Sequence, residues 1–253
     1  GDKIPDSLEG CSASIADKID LMVGIFGIGL VPKGDKDPFA LRRAAIGLLR
    51  ICIEKSLQVD IKDLVNASIS GLKDKLTNID VESNVIEFLS SRYLSFYQEQ
   101  GVSTDVIQSV LATSNGSKPV DFDRRIKAVV AFKERAEAQS LAEANKRVVN
   151  ILNKQSDKIK LGHQIDATTL TEDAEIALYQ KLVSVEQQVK PYIETQSYQD
   201  MLLALCQLKV EVDNFFDNVM VMSDNEAERQ NRLSILVTIR NLFSHVADIS
   251  VLK

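Results

Sequence analysis

Apolar residues recur at i, i+3, i+4 and i+7 along nearly the whole chain, and period-two alternation is short wherever it occurs. That period places one apolar stripe on each of a series of helices and leaves little room for a sheet. The chain of 253 residues carries only 11 Gly and 5 Pro, so few positions break a helix. The expected fold is an all-α helical bundle arranged as two packed helical domains.

The pattern predicts a first helix from about Ser14 to Phe26, with Ile15, Ile19, Met22, Val23 and Phe26 on one face. Gly27, Gly29, Pro32 and Gly34 mark the turn that follows. Asp37 is a good N-cap with Pro38 at the first position of a second helix running through Cys52. A third helix follows Asp60, a fourth covers about 82–100 and a short one covers 103–112. Ser114-Asn115-Gly116-Ser117-Lys118-Pro119 is the clearest loop. Beyond it, helices are expected near 120–136, 140–154, 171–193, 198–221 and 225–248, with a polar stretch at 155–166. A domain boundary is expected between about 116 and 140.

The net charge of −6 argues against a DNA-coating protein. The charge is uneven. Residues 119–160 carry ten Lys/Arg against six Asp/Glu, a net of +4, whereas 166–253 carry seven against fourteen, a net of −7. A basic face on an acidic chain suits a nucleic-acid contact confined to one side. Three scattered Cys (Cys11, Cys52, Cys206) with no CxxC read as reduced thiols, and two His (His163, His245) leave little for a metal site, so none is expected. No apolar run is long enough to span a bilayer. The chain opens at Gly1 and reads as a piece of a longer protein.

Three stretches carry a resemblance. The first is Ala16-Asp17-Lys18-Ile19-Asp20, then Val23-Gly24-Ile25-Phe26-Gly27-Ile28-Gly29, then Gly34-Asp35-Lys36-Asp37-Pro38-Phe39-Ala40-Leu41-Arg42-Arg43-Ala44-Ala45. The second is Asp121-Phe122-Asp123-Arg124-Arg125-Ile126 with Ala144-Asn145-Lys146-Arg147-Val148-Val149-Asn150-Ile151-Leu152. Both resemble the glycyl-tRNA synthetase β-subunit family. The third is Phe215-Phe216-Asp217-Asn218-Val219-Met220-Val221-Met222, Arg229, Asn231-Arg232-Leu233 and Val246-Ala247-Asp248-Ile249. It is similar to the end of the helical anticodon-binding domain shared with arginyl-tRNA synthetase.

The resemblance implies the end of an HD-like helical domain over 1–58, a helical connector over 59–118 and an anticodon-binding bundle over 119–253. It implies a cytoplasmic heterotetrameric ligase whose β subunit binds tRNA-Gly and whose α subunit uses ATP and Mg for glycylation. This chain would then hold no cofactor and no catalytic residue. Its partners would be tRNA-Gly and the α subunit, with no membrane and no DNA, and it would be a monomer in isolation.

Asp17 stands where HD-type phosphohydrolases place a metal-binding Asp, but this chain lacks the other ligands, and pairing with Lys18 or a neighbouring helix is the favoured reading. The turn Lys33-Gly34-Asp35-Lys36 lacks the spacing of a phosphate loop. Arg guanidinium groups bind phosphate bidentately, which makes Arg42 and Arg43 candidates for tRNA contact, with a salt bridge as the other reading. Arg124, Arg125, Lys127, Lys146 and Arg147 are the main basic concentration. Phe122 and Phe132 could stack on unpaired bases, although the spacing of Phe132 from Ile126 and Val129 favours the core. Asn150, Asn231, Arg232 and Arg240 suit base edges and phosphates, while helix packing or a salt bridge is equally open for Arg232. Cytosine's amino group needs an acceptor, which Asp or Glu supplies. The competing readings are a subunit-docking helical domain without RNA specificity and a remnant of an HD-type phosphohydrolase.

Overall fold

A computed structural model describes residues 3–32, 36–155 and 164–253. The described residues are helical with no β-strand, an all-α fold. The turn at Lys33-Gly34-Asp35, the stretch 156–163 and His163 lie outside the described residues. The chain divides into two compact units, 1–107 with 114–123, and 108–113 with 124–253.

In the first unit, α1 (Leu8–Gly27) begins at Ser7, whose hydroxyl accepts from the Gly10 amide at 3.1 Å. Its predicted face, Ile15, Ile19, Met22, Val23 and Phe26, is buried, and because the helix starts at Leu8 rather than near Ser14, Cys11 extends that face by one turn. That stripe packs on α2 (Leu41–Glu54), α3 (Ile61–Leu72) and α4 (Val81–Ser90).

The start of α2 differs from the sequence expectation. Pro38 and Phe39 form a turn, and the helix begins at Leu41 after Ala40 at φ 54°. Asp37 nevertheless caps it from a distance. Its two carboxylate oxygens accept from the Leu41 and Arg42 amides, each at 2.9 Å.

The helix expected over 82–100 is two, α4 and α5 (Arg92–Gln98), parted at Ser91. The Ser91 hydroxyl donates back to the Phe88 carbonyl at 2.6 Å, a bond that competes with the helix ladder. The apolar period runs on across the break, so Tyr93 and Phe96 stay buried.

Tyr93 and Phe122 stack with ring centroids 3.8 Å apart, and the Tyr97 hydroxyl donates to the Asp123 carboxylate at 3.0 Å. Burial, and then the Asp123 charge, push the Tyr97 phenol far above its usual range. The loop at 114–118 closes over this cluster. The Tyr93 hydroxyl donates to the Gly116 carbonyl at 2.9 Å, and the Ile61 amide donates to the Ser117 carbonyl at 2.8 Å. Gly116 sits at φ 71°, and a Cβ there would come within 2.7 Å of the Tyr93 ring, so the position requires glycine.

α6 (Thr104–Leu111) and α7 (Pro119–Lys133) begin in the first unit and end in the second. The second unit adds α8 (Ala138–Lys154), α9 (Asp173–Glu194), α10 (Tyr198–Leu205), α11 (Lys209–Asn218) and α12 (Glu226–Ser244). The helix expected over 198–221 is likewise two, with Cys206–Leu208 tightened into a 3-10 turn between them. No Gly or Pro marks that break. Asn225 caps α12 by accepting from the Ala227 amide at 2.9 Å. Helix α8 packs on α11, α12 and the turn at Ile249–Val251, while α9 packs on α10, α11 and α12.

All three cysteines are buried. Burial, and then the neighbouring Cys11, push the Cys52 thiol up to about 12. Since the thiolate is the nucleophile, Cys52 is inert at neutral pH. Titration of the folded chain with a thiol reagent at pH 8 is expected to leave Cys11, Cys52 and Cys206 unlabelled, and denaturant to release all three. Labelling of Cys52 without unfolding would contradict its burial.

Candidate nucleic-acid interface

The basic residues of α7 and α8 have different surroundings. Arg124 is exposed and donates to the Gln196 side chain at 2.9 Å. Arg125 is half-buried. Its guanidinium donates to the His245 carbonyl at 2.6 Å, the Val246 carbonyl at 3.2 Å and the Tyr198 hydroxyl at 2.9 Å, and lies 4.6 Å over the Tyr198 ring. These contacts tie α7 to α10 and to the end of α12. Arg125 is therefore a clamp within the unit, and its donors face inward.

On α8, Lys146, Arg147 and Asn150 are exposed. The Arg147 guanidinium lies 4.4 Å over the Phe216 ring of α11. Asn145, just before Lys146, is buried and donates to the Leu141 carbonyl at 3.0 Å. Farther along the same α8–α11 contact, the Ser140 hydroxyl meets the Asp213 carboxylate at 3.0 and 3.1 Å, and Lys209 pairs with Asp213 at 2.7 Å. On α11, Asp213, Phe216 and Asp217 share one stripe by helical spacing, with Asp217 exposed.

This stripe adds an aromatic ring under Arg147 and, next to that ring in the α11 sequence, the exposed carboxylate of Asp217. Phe216 and Asp217 lie within the third of the stretches that carry the resemblance, but nothing in their local spacing marks a role for them. The pairing of Phe216 with Arg147 spans 69 positions and has no local signal.

Asn231 and Arg232 lie inside α12's packing, 1% and 3% exposed. Asn231 accepts from the Asp166 amide at 3.0 Å and donates to the Asp166 carbonyl at 2.8 Å and to the Thr169 hydroxyl. Arg232 pairs with the fully buried Glu175 at 3.1 and 3.3 Å and donates to the Met220 carbonyl at 2.9 Å. Both side chains thus face partners inside the protein, and the salt-bridge reading of Arg232 is the one the geometry carries. Arg240, one turn from the end of the same helix, is exposed.

The turn that Arg232 holds is firmly seated. Val219 and Val221 are buried, Arg229 donates to the Ser223 carbonyl at 2.6 Å, and Ser223 donates to Glu228 at 2.8 Å. Met220, 75% exposed, projects from it.

Phe122 and Phe132 are both buried, so neither ring is open to a base. In the first unit, Arg43 is exposed on α2, while Arg42 is half-buried. Burial, and then the like charge of Arg42, lower the basicity of Arg92. Asp17 is exposed on α1, and Lys18 turns to Ser14, donating to its hydroxyl at 2.7 Å. Among the described residues, no group of three or more His, Cys, Asp or Glu could hold a metal ion, and no helix is long and apolar enough to cross a membrane.

Two family models match the chain. Residues 1–112 match the glycyl-tRNA synthetase beta subunit, and residues 141–249 match the DALR anticodon binding domain. The chain is similar along its whole length to proteins named glycine–tRNA ligase beta subunit. Identity is 51% over 253 residues for those of Pseudoalteromonas translucida, Serratia proteamaculans and Colwellia psychrerythraea. The match takes in 100% of this chain and 36% of each relative, so the chain spans about a third of their length.

Proposed function

Because the chain belongs to the glycyl-tRNA synthetase β-subunit family, we propose that it is a tRNA-binding part of that ligase and that its second unit reads the anticodon of tRNA-Gly. Glycine activation with ATP and Mg then belongs to the α subunit of a cytoplasmic heterotetramer, and this chain contributes affinity and specificity. The observation that supports this reading most directly is the exposed α8–α11 face, which lies within the residues that match the anticodon-binding model.

Its parts fit the chemistry of a single-stranded loop. Lys146 is an exposed point charge for a phosphate. Arg147, seated over the Phe216 ring, offers a guanidinium fork and a surface on which a base can stack. Asp217 on the adjoining helix is the acceptor type that a cytosine amino group requires, and glycine anticodons share two adjacent cytosines. Arg124 and Arg240 extend the exposed cations along the same unit.

The test is a titration of the chain into a tRNA-Gly transcript at two salt concentrations, beside a transcript with both anticodon cytosines replaced. Native tRNA is expected to bind more tightly, and less so at high salt. Lys146→Ala is expected to weaken both transcripts alike and to lower the salt slope by about one, whereas Arg147→Ala removes about 1–3 kcal/mol of discrimination. Equal, weak binding of both transcripts would instead favour a subunit-docking role, for which Leu203 (48% exposed) and Val210 (69% exposed) supply apolar surface.

A further inference from the structure

The first unit holds a groove of about 620 Å3 between α1 and α2, separate in sequence from the α8–α11 face. Four cations line it, Lys3, Lys18, Arg43 and Arg50, against one carboxylate, Asp17. That is a net positive pocket on a chain whose formal charge is −6. Phe39 also lines it, with 41% of its surface exposed.

The groove is shaped by a close helix approach. A Cβ at Gly47 would come within 3.1 Å of the Lys18 Cε, so the bare Gly47 backbone lets the Lys18 stem lie against α2. The Lys18 ammonium is steadied by the Ser14 hydroxyl at 2.7 Å and keeps further donors. Arg50 pairs with Glu54 at 2.9 Å, but that pair is solvent-exposed and readily exchanged for a stronger anion. A volume of several hundred Å3 is within the usual range for small-ligand sites.

We propose that this groove binds a phosphorylated nucleotide. Lys18, Arg43 and Arg50 hold the phosphate, the base lies against the Phe39 ring, and the Asp17 carboxylate accepts from an amino or hydroxyl group. Each part matches one chemical portion of such a ligand: charge-assisted donors for the anion, an apolar ring for the base and one acceptor for a polar edge. The nucleotide comes either free or as one residue of a single RNA strand. The site is independent of the anticodon reading, since its residues all lie in the first unit.

Isothermal titration of the whole chain with adenosine, AMP, inorganic phosphate and a five-nucleotide single-stranded RNA tests this. AMP and the RNA are expected to bind, and adenosine and phosphate to bind at least about tenfold more weakly, because each lacks one half of the ligand. Arg43→Gln, an exposed substitution that leaves thermal unfolding unchanged, is expected to weaken AMP and RNA binding by about tenfold. RNA binding about tenfold tighter than AMP identifies a strand as the source, and equal affinity identifies a free nucleotide. The proposal is overturned if none of the four probes binds, if adenosine or phosphate matches AMP, or if Arg43→Gln leaves AMP and RNA affinities unchanged. Lys146→Ala and Arg147→Ala serve as controls that leave AMP binding intact, so failure here is separable from failure of the anticodon reading.

Discussion

Arg232→Ala is expected to destabilise the second unit by about 3–5 kcal/mol, because it leaves a carboxylate buried without its partner. Glu175 is fully buried, and the Thr171 amide that donates to it at 3.3 Å is a long bond that cannot replace a guanidinium. The loss is large against a typical domain stability of about 5–15 kcal/mol. The Met220 carbonyl also loses its donor, so amides around 219–225 should exchange faster than the rest of the unit. Denaturant unfolding followed by circular dichroism measures the first effect and hydrogen exchange the second. Arg232→Met with Glu175→Leu removes both charges and is expected to recover most of the loss. A single substitution costing under about 1 kcal/mol, as a surface pair would, would show that the burial of this pair does not govern the unit.

Phe122→Ala is expected to cost the first unit about 3–5 kcal/mol, the usual penalty for emptying a buried aromatic site. The ring is fully buried, stacked on Tyr93 at 3.8 Å and near Tyr97 at 6.0 Å, beneath the loop pinned by Gly116. Its loss also exposes the Tyr97–Asp123 hydrogen bond to water, which the raised Tyr97 phenol would report as a fall toward the ordinary tyrosine range. Ultraviolet pH titration reads that change, since the chain has no Trp to mask its five Tyr. Affinity for tRNA under conditions where the variant stays folded should not move. A selective loss of RNA binding, with stability intact, would return Phe122 to the role of a stacking platform.

Much of the helical layout is legible in the periodicity. The stripe of α1, the start of α3 and the boundaries of α6 and α9 follow from local pattern alone, whereas α3 stops at Leu72, short of the Leu76 that its apolar period reaches. The two missed breaks, at Ser91 and at Cys206–Leu208, leave the apolar period intact and contain neither Gly nor Pro, so the usual signals are silent. The candidate face was partly legible. Lys146, Arg147 and Asn150 are exposed as their spacing on an amphipathic helix allows. Arg232 is different, yet a signal existed: Arg232, Leu236, Ile239 and Phe243 share one stripe of α12, and all four are buried. A charge in an apolar stripe points inward to a partner. The partner, Glu175, lies 57 positions away, and only packing reveals it. Arg125 follows the same logic, flanking the buried row Phe122, Ile126 and Val129.

The second unit owns residues 108–113 as well as 124–253, and within it the Asp248 amide donates to the Ser109 carbonyl at 2.8 Å. The chain therefore passes from the first unit to the second, back again, and across once more. A gene fragment starting at Arg124 would encode a second unit with that amide orphaned, and one ending at Ile107 would strip the first unit of the Gly116 loop and Phe122. No single junction separates the two intact. Shuffling them by simple fusion would break one or the other, which binds their inheritance together even though each has a core of its own.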